Sequence, residues 1–560
     1  MRTRWIFAAS TLLYLAAGTW LSAGNGFLMG DALSRVSATQ ATLFSRDPHL
    51  SAIGFVFTPL TSLAQLPMVA FAQWFPGITT WGLSGVLMSA LFMAGAVVMV
   101  FGIGTDRGAP LWLSGGVAVL FALNPMVVFY GANGMSEAPF LFCLCWALRR
   151  LIRWMRTDDA NDLTACGIAL GLAYLTRYDA LAPAAAAGAL VFVVAYRRCR
   201  GEDNRWHSAI MDFILVVLPV AAAFVVWAAT SWLITGLAFQ QFSSQYGNSS
   251  ILQQSSSSAT ETTAALEYST AATLILGPAL PLLVPIVTAL AVRRRDTQVV
   301  VPILLCGSVL AFQAFSYASG STFAFLRFYV AAIPLAAVLA LQVSPVRGFP
   351  PSRRPGRHAK TAATEPEPDR ITGRHRVRTG WRAPAVGMAL TLILLAGAVP
   401  LTAWGMSSHA ISVQEYSLGA VLFPDPDNAS ERRADEHRIA ATFSTERRLA
   451  NYLDAMNLPR GAVLMDTVYG FAVVVASHRP DQFVVPSDRD FVRVLNRPAE
   501  RGVKYILAVP NTGRGTSDAV NRRYPTMYEN GSGIATLALE APNDGAGQPE
   551  WRIYRVLGAD

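Results

Sequence analysis

The chain has 560 residues, 53% of them apolar and only 14% charged, with a mean hydropathy of +0.37. Soluble domains carry about 25% charged residues, so this composition excludes an ordinary soluble protein and points to a polytopic membrane protein. The net charge of +9 does not mark a nucleic-acid binder, because the arginines stand in short clusters between apolar runs, where they set topology.

The chain opens on MRTRWIFAASTLLYLAAGTWLSAG, with a basic start, an apolar run and small residues near Ala23. A cleaved signal peptide has these parts, but with many apolar stretches following, an uncleaved signal-anchor is the better reading. Stretches long enough to cross the hydrocarbon core predict helices at 5–21, 83–103, 111–129, 138–155, 163–175, 181–196, 210–234, 271–292, 299–317, 325–343 and 386–406, about eleven in all. The segment 57–75 is apolar but broken by Pro59 and Pro67, which suits an interfacial or re-entrant piece.

Charge sets the orientation. TDRGA, RRLIRWMR, YRRCRGEDNRW, RRRD and the long VRGFPPSRRPGRHAK…GRHRVRTGWR fall on one side; the opposite loops between the spans hold very few arginines, namely Arg35, Arg46, Arg177 and Arg327. The positive-inside rule therefore puts the N-terminus in the cytoplasm, and puts Asp31, Asp47, His49 and everything after Met406 outside. The Pro-, Arg- and Gly-rich stretch 347–382 reads as a disordered cytoplasmic linker that rests on anionic lipid or only enforces topology. The external QQFSSQYGNSSILQQSSSSATETTAALEYS is a lid or a mobile loop. All five cysteines lie in or beside predicted membrane helices, so no disulfide framework or cysteine metal site is expected.

From Ser407 the composition is that of a soluble domain. ERRLANYLDAM has helical spacing; GAVLMD, FAVVVAS, QFVVPS, VKYILAVP, GIATLALEA and WRIYRVL read as strands, with DFVRVLNRPAE helical between them. The domain has no glycine-rich phosphate loop and no triad pattern. Its expected role is to pack on the membrane part and help bind the acceptor. The reading is thus an α-helical polytopic protein with a small extracytoplasmic α/β domain: membrane domain 1–343 with external loop 25–82, basic loop 344–383, last membrane helix 384–406, and α/β domain 407–560.

Five motifs stand in order: MGDALSR with FVFTPL in the first loop, NPMVVFYGANGMSEAPFLF, LGLAYLTRYDALAP, and LRFYVAAIPLAAVLAL. Together, over roughly 1–343, they resemble the GT-C membrane glycosyltransferases, nearest the protein-mannosyltransferase and aminoarabinose-transferase branch. That branch carries adjacent acids in the first loop, whereas here Asp31 is followed by Ala32; its HPPL-like element is here FTPL.

The resemblance implies a GT-C-like fold and inverting transfer of a sugar, mannose or arabinose, from a polyprenyl-phosphate donor to an acceptor hydroxyl on the outer face of the membrane. No nucleotide sugar and no metal or other cofactor is implied. The acceptor is a glycan, a glycolipid or a protein. The alanine- and arginine-rich composition suits a high-GC bacterium, hence the cytoplasmic membrane and cell-envelope assembly.

In such a reaction Asp31 is the candidate base, against the alternative of an interfacial helix-end acid. Asp47 and His49, in SRDPHL, are second candidates for catalysis and substrate binding; an Asp-Pro turn is the alternative. Arg177 or Arg327 is assigned to the lipid phosphate, with a salt bridge to Asp179 and a snorkelling anchor as their respective alternatives. Glu137, Tyr178 and Asp179 are candidate substrate contacts, although Ser136 and Glu137 also read as helix-capping residues. Asp466, Asp488 and Asp490 read as caps or a solvated face, and His478 as surface. Two other functions compete: a transporter or flippase of a lipid-linked sugar, and a non-catalytic assembly protein. Catalysis requires Asp31 and an arginine to converge on one cavity.

Overall fold

The computed structural model describes residues 2–199, 204–240, 262–346, 382–423 and 431–558. The basic linker at 347–381 and most of the external serine-rich loop (241–261) lie outside the described residues.

Every stretch expected to span the membrane is helical. The helices are α1 (Arg2–Thr19), α2 (Gly30–Phe44, in the first loop), α3 (Leu83–Arg107), α4 (Leu111–Ala122), α5 (Pro125–Ala132), α6 (Glu137–Thr157), α7 (Ala160–Tyr174) and α8 (Leu181–Arg198). They continue as α9 (Arg205–Thr235), α10 (Thr262–Leu276), α11 (Leu280–Arg294), α12 (Val300–Ala318), α13 (Ala332–Gln342), α14 (Arg382–Ala396) and α15 (Ala398–Ser407). By length and apolarity six of these spans suffice to cross a bilayer, or eight when the bent pairs α4–α5 and α10–α11 each count once. Three of the eleven expected stretches fall short: α6 carries Arg149, Arg150, Arg153 and Arg156, while α7 and the segment Leu326–Gln342 are short. The segment 57–75 does not span. It forms short turns at Leu60–Leu63 and Leu66–Val69 and leaves Phe71, Trp74 and Phe75 exposed.

Small residues let the helices approach. Pro219 lies inside α9 and cannot donate to the carbonyl of Leu215; a Cβ added to Gly167 of α7 would lie 2.7 Å from that oxygen. On α1, Tyr14 is fully buried and its hydroxyl donates to the Ala122 carbonyl at 3.0 Å.

The C-terminal domain is a five-stranded mixed sheet in the order β2-β1-β3-β5-β4, with β1 Val463–Leu464, β2 Phe483–Val484, β3 Tyr505–Ala508, β4 Ala535–Ala541 and β5 Trp551–Val556. β1 pairs parallel with β2 and β3, and β5 pairs antiparallel with β3 and β4. Alternation along the strands feeds two cores: Val463 and Leu507 face α16 (Ser444–Ala455) and α17 (Thr467–Ala476), whereas Leu464 and Ile506 face Phe491 and Val520.

FAVVVAS, expected as a strand, is the body of α17. A short apolar run has no period to separate strand from buried helix. Here the Asp466 carboxylate accepts from the Val468 N–H at 2.7 Å and caps a helix buried on two sides. Ala472 and Val475 of α17, with Phe443, pack on Leu33 and Val36 of α2, fastening the domain to the first loop.

A charged cluster where six segments meet

Asp31 is the second residue of α2, and its side chain is 43% exposed. Its Oδ2 accepts from Arg327 Nη2 at 3.1 Å, and its backbone carbonyl accepts from Arg35 Nη1, one turn on, at 2.8 Å. Arg327 stands in a single turn ahead of α13 and also reaches Glu137 Oε1, 3.7 Å from its Nε. Glu137 is fully buried at the start of α6 and accepts from Arg177 Nη1 at 2.7 Å. Arg177, between α7 and α8, also pairs with Asp179, whose Oδ2 accepts from Gln313 Nε2 at 2.7 Å. The Arg177 guanidinium lies between the rings of Phe140 and Phe328.

Thus Asp31, Glu137, Arg177, Asp179 and Arg327, up to 296 residues apart, form one network. Glu137 is not a solvent-facing helix cap: Ser136 makes no capping hydrogen bond, and the Glu137 carboxylate joins two guanidiniums. Tyr178 flanks Arg177 and is half-buried. The neighbouring cleft is lined by Gly18, Leu21, Phe27, Ala32, Val86 and Asn133 among others, and by none of these charged side chains. The expected convergence of charges is present.

Arg35 was missed as a site residue. It is 6% exposed, with its guanidinium 4.3 Å from the Phe57 ring centroid and Nη1 3.9 Å from Met135 Sδ. Among the described residues no carboxylate lies within ion-pair distance of it, and its Nε is buried with no partner. Arg177 and Arg327 each have carboxylates; Arg35 alone of the three has none. The signal was its place one helical turn after Asp31, on the same face. Phe57, which it stacks against, belongs to the FTPL segment, and Leu60 there donates to the Leu175 carbonyl at 2.9 Å.

Burial raises the Asp31 carboxyl, but Arg327 and then Arg35 outweigh it and hold it below the ordinary carboxylate range. Burial conversely lowers Arg35, against the pull of Asp31.

Asp47 and His49 are not in this cluster. They follow α2, whose 15 residues separate its two ends by about 20 Å at 1.5 Å per residue. Asp47 Oδ2 accepts from the Arg489 N–H at 3.1 Å, and His49 Nδ1 lies 2.6 Å from the Asp47 carbonyl. Beside them Arg46 donates to Asp488 at 3.1 Å and binds Asp490. Asp488, whose side chain is wholly buried, and Asp490 are therefore docking partners of the first loop and not a solvated face. No group of three or more His, Cys, Asp or Glu side chains among the described residues is arranged to hold a metal ion.

These features define a multi-pass helical membrane protein with a small α/β domain docked beside a charged cluster at the helix ends. Residues 67–227 match the profile of the dolichyl-phosphate-mannose-protein mannosyltransferase family, and the chain is accordingly similar to GT-C mannosyltransferases. The matched segment holds Glu137, Arg177 and Asp179, while Asp31, Arg35 and Arg327 lie outside it. Among solved structures, the S. cerevisiae protein O-mannosyltransferase Pmt1-Pmt2 complex bound to the sugar donor aligns with 15% identity and a TM-score of 0.31. That alignment covers 42% of this chain and 34% of that one, about a third of its length. No curated protein matches.

Proposed function

We propose that the protein transfers a sugar, with mannose favoured by the family match, from a polyprenyl-phosphate donor to an acceptor hydroxyl at the outer face of a bacterial cytoplasmic membrane, in cell-envelope assembly. One observation carries the reading: an accessible carboxylate held ionised beside the guanidiniums of Arg327 and Arg35, the second of which has no carboxylate partner among the described residues.

In this reading the acceptor hydroxyl oxygen attacks the anomeric carbon while Asp31 takes the hydroxyl proton. The bond from that carbon to the phosphate oxygen breaks through an oxocarbenium-like transition state, and the electron pair leaves with the polyprenyl phosphate. A single displacement of this kind inverts the anomeric centre. The departing phosphate gains charge, and planar guanidiniums are suited to bind its oxygens. Arg35 meets it with free donors; Arg327, shared with Asp31, and Arg177, shared with Glu137 and Asp179, surround it. Glu137, Asp179 and Tyr178 position these cations and border the sugar. Clustering at helix ends supports this reading over a transporter, whose ionisable groups gather near mid-membrane.

The test is transfer of radiolabelled mannose from polyprenyl-phosphate mannose by purified protein in lipid, wild type against Asp31→Asn. Donor-dependent transfer lost in the folded variant supports the reading; no transfer by folded wild type from any such donor sinks it.

A further inference from the structure

The α/β domain holds a cation of its own against the helix that packs along α2. α17 lies along α2: Phe471 approaches within 4.0 Å of the Cβ position of Gly30, the residue before Asp31, and Ala472 and Val475 pack on Leu33 and Val36. Tyr469, in the first turn of α17, carries the guanidinium of Arg514 at 5.3 Å from its ring centroid. Against the burial that raises it, Asp31 is held down by Arg327 and Arg35 and, from this domain, by Arg514.

The turn that presents Arg514 is braced. Gly513 takes φ +53°, and its carbonyl accepts from Thr516 Oγ1 at 2.8 Å. A Cβ on Gly515 would lie 2.0 Å from the Pro510 oxygen, so that position requires glycine. Asn521 Nδ2 donates to the carbonyls of Gly515 and Val509, each at 3.0 Å. Arg514 itself is exposed, with no carboxylate partner among the described residues. A rigid turn that holds an unneutralised guanidinium near an exposed base is poised for an anion.

We propose that Arg514 and Tyr469 form an acceptor subsite that takes an anionic group, a carboxylate or a phosphate, carried near the hydroxyl presented to Asp31. The proposal rests on the sugar-transfer reading for the word acceptor, but the anion site stands on its own geometry. The donor phosphate is assigned in that reading to Arg35 and Arg327, which are buried, whereas Arg514 is exposed. A molecule arriving from outside the membrane meets Arg514 on the exposed side.

The experiment is saturation-transfer NMR on the full-length protein in phosphatidylcholine nanodiscs. Methyl glucuronide is compared with methyl glucoside, which differ only in the carboxylate. Wild type should favour the glucuronide by about tenfold, the worth of one charge-assisted hydrogen bond. Arg514→Gln should abolish that preference and leave glucoside binding unchanged, and Arg514→Lys should keep part of it. Equal binding of the two sugars by wild type, or a preference that survives Arg514→Gln, overturns the subsite. Mannose transfer is measured on the same samples; its absence with the preference intact counts against sugar transfer and not against the anion site.

Discussion

Arg327 Nη2 and Asp31 Oδ2 meet at 3.1 Å across 296 residues of chain, and Glu137 ties the same guanidinium to Arg177. The pairing helps keep Asp31 ionised, and Glu137 shares the same guanidinium. Glu137 is the joint. Removing it as Glu137→Ala leaves two buried guanidiniums short of a carboxylate, which should destabilise the fold by about 3–5 kcal/mol. Glu137→Gln, which retains an acceptor, should cost less. Denaturant unfolding in micelles measures both, and equal stability of all three proteins would contradict the role.

Arg35 predicts the opposite balance. A buried guanidinium without a carboxylate is a burden to the folded state, tolerated where function needs it. Arg35→Met should therefore leave the thermal midpoint unchanged or raise it, while donor affinity falls at least about tenfold through loss of a charge-assisted contact to phosphate. Titration with polyprenyl-phosphate mannose provides the affinity; a variant that binds donor normally would remove Arg35 from the site.

The pH dependence follows from Asp31. Its folded value lies below that of a free carboxyl, about 3.9, so the base form persists through all ordinary pH and the acid limb of kcat/KM should lie below about pH 4. Arg35→Met removes one of the charges that oppose burial, so the limb should move upward. Log kcat/KM against pH decides it, since a purely structural Arg35 would lower the plateau and leave the limb in place.

At the far end of α2, Arg46 clamps the loop to Asp488 and Asp490, and the Arg460 guanidinium donates to the Arg46 carbonyl at 2.9 Å. Arg46→Ala strands the buried Asp488 and should cost about 2 kcal/mol, discounted for the partial exposure of the arginine. Amide exchange over residues 30–44 should quicken and kcat should fall, with the KM for donor unchanged. Unaltered exchange in that helix would show that the clamp does not hold it.

The α/β domain carries its own pH signature. Burial, and then the neighbouring Asp466, push the Asp518 carboxyl up to about 8. Because the folded value exceeds the unfolded one, about 3.9, the protonated acid stabilises the domain fully below pH 4, and that contribution is lost as pH rises through 8. Asp518→Asn keeps the oxygen that accepts from Val520 and Asn521 and should flatten the dependence between pH 4 and 8. Tm against pH for the two proteins provides the comparison.

The spans were legible because apolar runs near 20 residues have few other fates, and so were the strands around Val463, Phe483, Ile506 and Ile553. Asp31, Glu137, Arg177, Asp179 and Arg327 were picked out as ionisable groups at helix ends, and the structure brings them together. Arg35 escaped because a lone arginine in the first loop looks like any other; its meaning lies in a missing partner, which no sequence displays. Asp47 and His49 were drawn into the site by proximity in sequence, but a straight helix of 15 residues carried them to its other end. FAVVVAS misled because valine prefers strands, while tertiary burial and the Asp466 cap chose helix.

The wide sequence separation of the cluster orders its birth at the ribosome. Glu137 and Arg177 come off the ribosome only 40 residues apart and can pair early, but Arg327 follows much later and the Arg46 clamp waits for Asp488. A nascent chain thus carries Asp31 for most of its synthesis without the guanidinium that tunes it. The network is therefore complete only once the final domain has been made and has folded onto the first loop, so assembly of that domain is the last step in building the cluster.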